Sequence, residues 1–213
     1  MQRWDRLTSH LRRRPGHLHL QHVQGGARIV MFLSHTLGGA AAGAWLAVAV
    51  RPTPTLALVG TAVGALGSMA PDCDHPGARP ARALGPVGWV LTRVLRLISK
   101  VLTGTRHRGI THSLLFAVLV GCGVALLAYR WVPAGPAAYL GAAAVLGVVA
   151  ALLGDLVTRA GLRHLLWPAR VQVSVPRVLR IKTGGRVEKW VVLPVTAGVA
   201  AVGLGLVLGG PGA

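Results

Sequence analysis

Two short stretches of this chain concentrate the side chains that bind metal ions. Asp72-Cys73-Asp74-His75 sets carboxylate, thiol and imidazole within four consecutive residues, and His107-Arg108-Gly109-Ile110-Thr111-His112-Ser113 places two histidines around an arginine. Acids are otherwise scarce, the rest being Asp5, Asp155 and Glu188. A mixed imidazole and carboxylate set suits a divalent metal ion, zinc first with manganese or iron as alternatives, better than it suits calcium. The candidate ligands are His35, Asp72, Asp74, His75, His107, His112 and Asp155. Arg108 has two readings, a clamp on phosphate oxygens through its fork of donors or an ion pair with one of the aspartates. Glu188 is read either as a general base or supporting carboxylate, or as a cap or partner beside Lys189. His164 is read as a surface residue. A competing account pairs Asp72, Asp74 and Asp155 with Arg106, Arg108 and Arg159 as structural ion pairs, but charge balance alone gives the histidines no purpose.

The elements that must position these groups are set by composition. Hydrophobic residues make up 53% and charged residues 13% of the 213 positions, with a mean hydropathy of +0.57. That charged share is about half the share usual in a soluble domain. Apolar runs at about 30–50, 56–70, 110–131, 137–157 and 190–209 approach or reach the roughly 20 residues a helix needs to cross a bilayer. They are continuously apolar, whereas barrel strands alternate, so helices are the remaining solution. The expected fold is an all-α integral membrane protein with about five transmembrane helices in one domain over 29–210, preceded by a basic, loosely ordered tail over 1–28. The first run is read as a retained helix and not a cleaved signal. Cys73 and Cys122 fall at different depths, so no disulfide is expected. His10, His17, His19 and His22 in the tail lack the pre-organisation of a metal site.

Arg51-Pro52-Thr53-Pro54 turns the first run into the second as a hairpin, and Pro133 and Pro136 turn the third into the fourth. Gly39/Gly43 and Gly60/Gly64 present small faces for close packing of the first two helices. Between 71 and 109, apolar Val87, Val90, Leu91, Val94, Ile98, Val101 and Leu102 recur at helical spacing opposite Arg93, Arg96 and Lys100. This is expected to be an amphipathic helix in the interface plane, or alternatively a packed helix of a cytoplasmic subdomain.

Of the 23 basic residues, only Arg51 and Arg130 fall between the first and second or the third and fourth runs. The positive-inside rule therefore puts the N-terminus and the loops 71–109 and 158–189 in the cytoplasm of a multi-pass protein of the inner membrane. The same assignment brings Asp72, Asp74, Asp155, Glu188, His35, His75, His107 and His112 to the cytoplasmic face. An ionisable group within a span costs about 2.5–3.5 kcal/mol on insertion scales, so His35 and Asp155 require partners.

At these motifs the chain resembles the YdjM-like family, bacterial and archaeal inner-membrane proteins described as LexA-associated, metal-dependent hydrolases. The resemblance runs from His35 to Glu188. Pro71-Asp72-Cys73-Asp74-His75-Pro76 stands where the family usually reads PDIDHP, and His107-Arg108-Gly109-Ile110-Thr111-His112-Ser113 where it reads HRGxTHS. It continues through Gly147 to Asp155 and Leu165-Leu166-Trp167-Pro168. More distantly, the family is similar to the zinc-dependent phospholipase C and P1-nuclease group, which implies phosphoester chemistry. In one place the chain departs: the family commonly has a histidine four residues before the aspartate matching Asp155, and here that residue is Ala151. Either a metal position is lost or altered, or another residue such as His164 reaches in.

The resulting expectation is a membrane-bound hydrolase of a phosphoester at the cytoplasmic face, with a lipid as one substrate class and anionic headgroups around it. The alternative is a non-catalytic metal-binding membrane protein with a structural or regulatory role. A transporter would carry ligands across the whole membrane, and the outer halves of these runs have almost nothing polar. Nucleic-acid binding is not expected, because aromatic residues are not interleaved with the arginines and the charge follows from orientation.

Overall fold

The computed structural model describes residues 16–105, 107–158, 161–169, 171–183 and 185–209, with side chains from Ile29 onward. The expected tail up to residue 15, His10 included, lies outside the described residues. From Gly16 the chain is already helical, in a helix α1 that runs to Val50. Residues 16–28 thus prolong the first span instead of forming the loose segment expected. Extending a helix that already exists costs far less than starting one, and the Gly25-Gly26 pair is not enough to end it.

Helix α2 (Pro54–Gly67) follows a tight turn, with Thr53 capping its start by accepting from the Leu56 amide at 3.4 Å. A 3-10 turn at Pro71–Asp74, a short α3 (Arg79–Ala83) and a long α4 (Gly85–Thr103) complete the first connection. Then come a second 3-10 turn (Ile110–His112), α5 (Leu114–Ala128), α6 (Ala134–Leu156), a π turn (Glu188–Val192) and α7 (Leu193–Leu208). Among the described residues four segments are long and apolar enough to cross a membrane, Ile29–Val50, Pro54–Asp74, Ala134–Leu156 and Glu188–Leu208, while Leu114–Ala128 is a shorter apolar helix. This is the all-helical membrane architecture expected, with one difference. The third run, expected as a full span from 110, becomes a helix only at Leu114, because Ile110–His112 turns inward and Ser113 starts the helix by accepting from the Phe116 amide at 3.1 Å. Its 15 residues cover about 22 Å at 1.5 Å each, short of the roughly 30 Å hydrocarbon core.

Helix α1 packs against α2, α6 and α7, and α6 also packs against α2 and α5. The expected glycine faces meet. A Cβ at Gly64 would stand 2.5 Å from the Gly39 carbonyl oxygen, and one at Gly43 2.7 Å from that of Gly60. Only hydrogen at these positions allows the backbones to approach so closely. Trp45 Nε1 donates to the Val199 carbonyl at 3.1 Å, tying α1 to α7. At the end of α6, Val148 and Leu152 form a core with Ala117 and Leu162. Leu162 is held there by a bridge to Val173, and Thr158 pairs with Ile181, so the connection between α6 and the π turn folds back across the end of the bundle.

Helix α4 turns its small and polar residues Gly88, Thr92, Ser99 and Thr103 to the protein. Its apolar residues, among them Val87, Val90, Val94, Leu97 and Val101, are exposed. The alternative of a packed subdomain helix is thereby excluded: a core helix would bury the face that α4 leaves outside. Thr92 Oγ1 donates to the Cys73 carbonyl at 2.8 Å, anchoring α4 to the turn after α2.

Gly64→Leu is expected to lower stability by about 3 kcal/mol, the upper end of the usual overpacking cost, because backbone blocks the new side chain. Gly123→Leu, where nothing lies within 4 Å of the added Cβ, should change it by less than about 0.5 kcal/mol. Denaturant unfolding of both variants in detergent micelles measures the difference.

Candidate functional site

The chemistry-bearing residues come together where the two 3-10 turns meet the middle of α1 and the end of α6. Asp74 closes the first turn and is completely buried. The second turn is reached through Arg108, a non-glycine residue at φ 55°, a conformation that costs of order 1 kcal/mol or more unless its surroundings hold it. Gly109 follows, and a Cβ there would collide with the Ser99 hydroxyl. The segment can press against α4 only because that position is glycine.

Asp74 is the hub of a hydrogen-bonded relay. Its Oδ1 lies 2.6 Å from His107 Nδ1, and its Oδ2 accepts from the Thr111 hydroxyl at 2.7 Å. Thr111 Oγ1 also lies 3.1 Å from His112 Nδ1. A hydroxyl has a single proton, and here Asp74 takes it. Thr111 must therefore accept from His112 Nδ1–H, which places a proton on that nitrogen and turns Nε2 toward Asp155. That Nε2 is buried, has no hydrogen-bond partner among the described residues, and stands 3.3 Å from Asp155 Oδ2. The distance is short, but the alignment is wrong for a hydrogen bond. Burial opposes protonation of His107, yet its bond to the Asp74 carboxylate and that negative charge outweigh it and hold the imidazole above its ordinary pKa.

Asp155 is the second buried carboxylate. Its Oδ1 accepts from Arg108 Nη2 at 2.8 Å, and His35 Nε2 stands 3.9 Å from the same oxygen. Arg108 therefore makes the ion pair that was one of its two readings. Its Nη1 is buried and has no partner among the described residues.

Of the candidate ligands, His35, Asp74, His107, His112 and Asp155 are brought together, with the His75 ring edge-on to His107 at 5.1 Å between centroids. His75 Nδ1 accepts from the Gly77 amide at 3.1 Å. Asp72 is set apart from the Asp155 side and lines a cleft of about 180 Å³ with His75, Arg79 and His107. Among the described residues no group of three or more His, Cys, Asp or Glu is arranged to hold a metal ion. Glu188 is buried at the start of the π turn, where it accepts from Ser34 Oγ at 2.5 Å. His164, expected at the surface, is 7% exposed, because the Leu162–Val173 bridge folds its segment under the bundle. Both cysteines are free. Two participants escaped the sequence reading. Thr111 was visible only as a residue between two histidines, and Ser34 carried no signal beyond standing next to His35.

The fold and this cluster define a helical, membrane-embedded protein with a buried histidine and carboxylate centre at one end of its bundle. The family model for the YdjM inner membrane protein matches residues 30–210, and the chain belongs to that family. No curated protein and no solved structure matches it.

Asp155→Ala leaves the Arg108 guanidinium without its partner and is expected to cost about 3 kcal/mol. Adding Arg108→Ala should recover part of that loss, so that the double variant is more stable than the sum of the single changes implies. Unfolding of the four proteins in detergent tests the coupling, and strict additivity would contradict it.

Proposed function

We propose that the chain is a membrane-bound metal-dependent hydrolase of a phosphoester, multi-pass, with its N-terminus and its site at the cytoplasmic face. The carrying observation is the buried Nε2 of His112, which makes no hydrogen bond among the described residues and stands 3.3 Å from Asp155 Oδ2. A cation bound by both atoms would satisfy them together. Two ligands bound at about 2.0–2.1 Å in a tetrahedral arrangement are themselves about 3.4 Å apart, so the separation suits a divalent metal ion, zinc first and manganese or iron next. His112 and Asp155 would be two of its ligands, and His35, 3.9 Å from Asp155 Oδ1, the third once its ring closes on the ion, since as they stand no three of these groups surround one point; Asp72, His75 and His107 line the adjoining cleft. Asp74 orients His107 directly and His112 through Thr111, as carboxylates do behind metal-bound imidazoles. When bound, the metal would supply a hydroxide at neutral pH and polarise the phosphoryl oxygen.

The other roles fall to the chain's own groups. Arg108 is held by Asp155 through Nη2, and its Nη1, without a partner among the described residues, would be the donor to a phosphoryl oxygen. Glu188, held by Ser34, is the candidate proton acceptor. Helix α4 rests its apolar face in the bilayer with Arg93, Arg96 and Lys100 toward anionic headgroups. The orientation rests on the confinement of basic residues to one side, and phosphoester chemistry on the distant similarity to the phospholipase C and P1-nuclease group.

The second reading, a non-catalytic metal-binding protein, draws support from Ala151, which stands one turn before Asp155 and is buried at 2% exposure. Metal analysis of the purified protein should find zinc that His112→Ala and Asp155→Asn both lose. Turnover of a phosphoester panel by the wild type, lost in the same variants, supports the hydrolase. Metal without turnover supports the second reading, and metal kept by both variants overturns the site.

A further inference from the structure

A cavity of about 200 Å³ lies beside the carboxylate centre, in the groove between α6 and α7 with α1 as its floor. Both flanking helices pack on α1 but make little direct contact with each other. The groove stays open because the residues facing it from α1 and α6 are small, Gly38, Ala150 and Gly154 among them. A Cβ at Gly154 would stand 3.2 Å from the His35 ring, so a larger residue there would press on the centre itself.

Its lining changes character with depth. At the end nearest the centre stand His35, Ser34 and the buried Glu188. The deeper lining on α7 is Val192 and Thr196, and the Thr196 hydroxyl is turned back on its own helix, donating to the Val192 carbonyl at 2.8 Å. The groove therefore offers hydrogen-bonding groups at one end and almost nothing polar along the rest. From Glu188 to Thr196 is about 12 Å at 1.5 Å per residue. Polar atoms at one end of an otherwise apolar pocket orient a ligand that is itself polar at one end. His35 belongs to both places: it lines the cavity, and its Nε2 is 3.9 Å from Asp155.

We infer that this groove is a binding site for an acyl chain of a membrane lipid, seated so that the lipid's phosphoester lies at the His112–Asp155 centre. The inference rests on the hydrolase reading for the phosphoester and on the cavity alone for the chain. The occupant is a bilayer lipid because α1, α6 and α7 are each apolar and long enough to span, and an open groove between such helices is filled by the chains around it. A soluble phosphoester would leave the apolar part of the groove unused.

The test uses the full-length protein in phosphatidylglycerol and phosphatidylcholine vesicles doped with a phosphatidylglycerol that carries a photoactivatable diazirine on one chain. Cross-links should map to the groove, at Met31, Gly38, Val192 or Thr196. Ala150→Phe and Val192→Phe, which fill it from different helices, should each reduce them at least about tenfold while helix content is retained, given what a few methylenes contribute in an apolar pocket. The same variants should slow hydrolysis of the long-chain lipid by at least about tenfold and leave a chainless aryl phosphodiester within about twofold. Groove cross-links without any turnover would uphold the chain site and overturn the hydrolase. Turnover indifferent to chain length and to filling would overturn the chain site and leave the hydrolase standing. Cross-links spread evenly over the lipid-facing helices and unchanged in both variants would also overturn the chain site.

Discussion

A carboxylate taken out of water must have its charge and its lone pairs met by the protein, or it costs several kcal/mol. Asp74, with no exposed surface at the foot of α2, imposes that condition on everything around it. One oxygen takes His107 and the other Thr111. Between them the chain is not α-helical; it bends through Arg108 in the left-handed region, passes Gly109 against α4 and makes a 3-10 turn. The helix that follows starts late and is short for that reason. The turn that meets one buried charge thus also shortens α5 and puts a proton on His112 Nδ1.

The same economy governs Asp155. Its neighbours Arg108 and His112 come from the segment that Asp74 has already organised, and His35 comes from α1. The two carboxylates are therefore linked through Thr111 and His112, not independent. Such a network is stable only if α1, α2 and α6 lie close together, and their glycine and alanine faces allow that. Close packing also removes room: Ala151 is buried on α6 one turn from Asp155.

Helix α4 follows a different logic. It meets the protein with glycine, serine and threonine and leaves its valines, leucines and Trp89 outside. In water such a helix would be inside out. Beside a bilayer it is the expected arrangement, since lipid takes the apolar face and the protein needs only a shallow polar seam, of which the Thr92 bond to Cys73 is part.

The composition by itself determined that this chain is helical and membrane-embedded, because continuous apolar runs leave backbone polar groups no other solution. Two composite motifs were enough to mark most of the site, since histidines and acids are too costly near apolar segments to be there idly. Other things were decided by tertiary structure. That Asp74 orients while Asp155 pairs with Arg108, that Asp72 stands aside, that Thr111 and Ser34 take part, and that His164 is buried all depend on which groups share a given few ångströms. Hydropathy and residue type locate a group along the chain and in depth. They do not say which way a turn rotates its side chains, and hydrogen-bond direction, tautomer and partnership follow from that rotation alone.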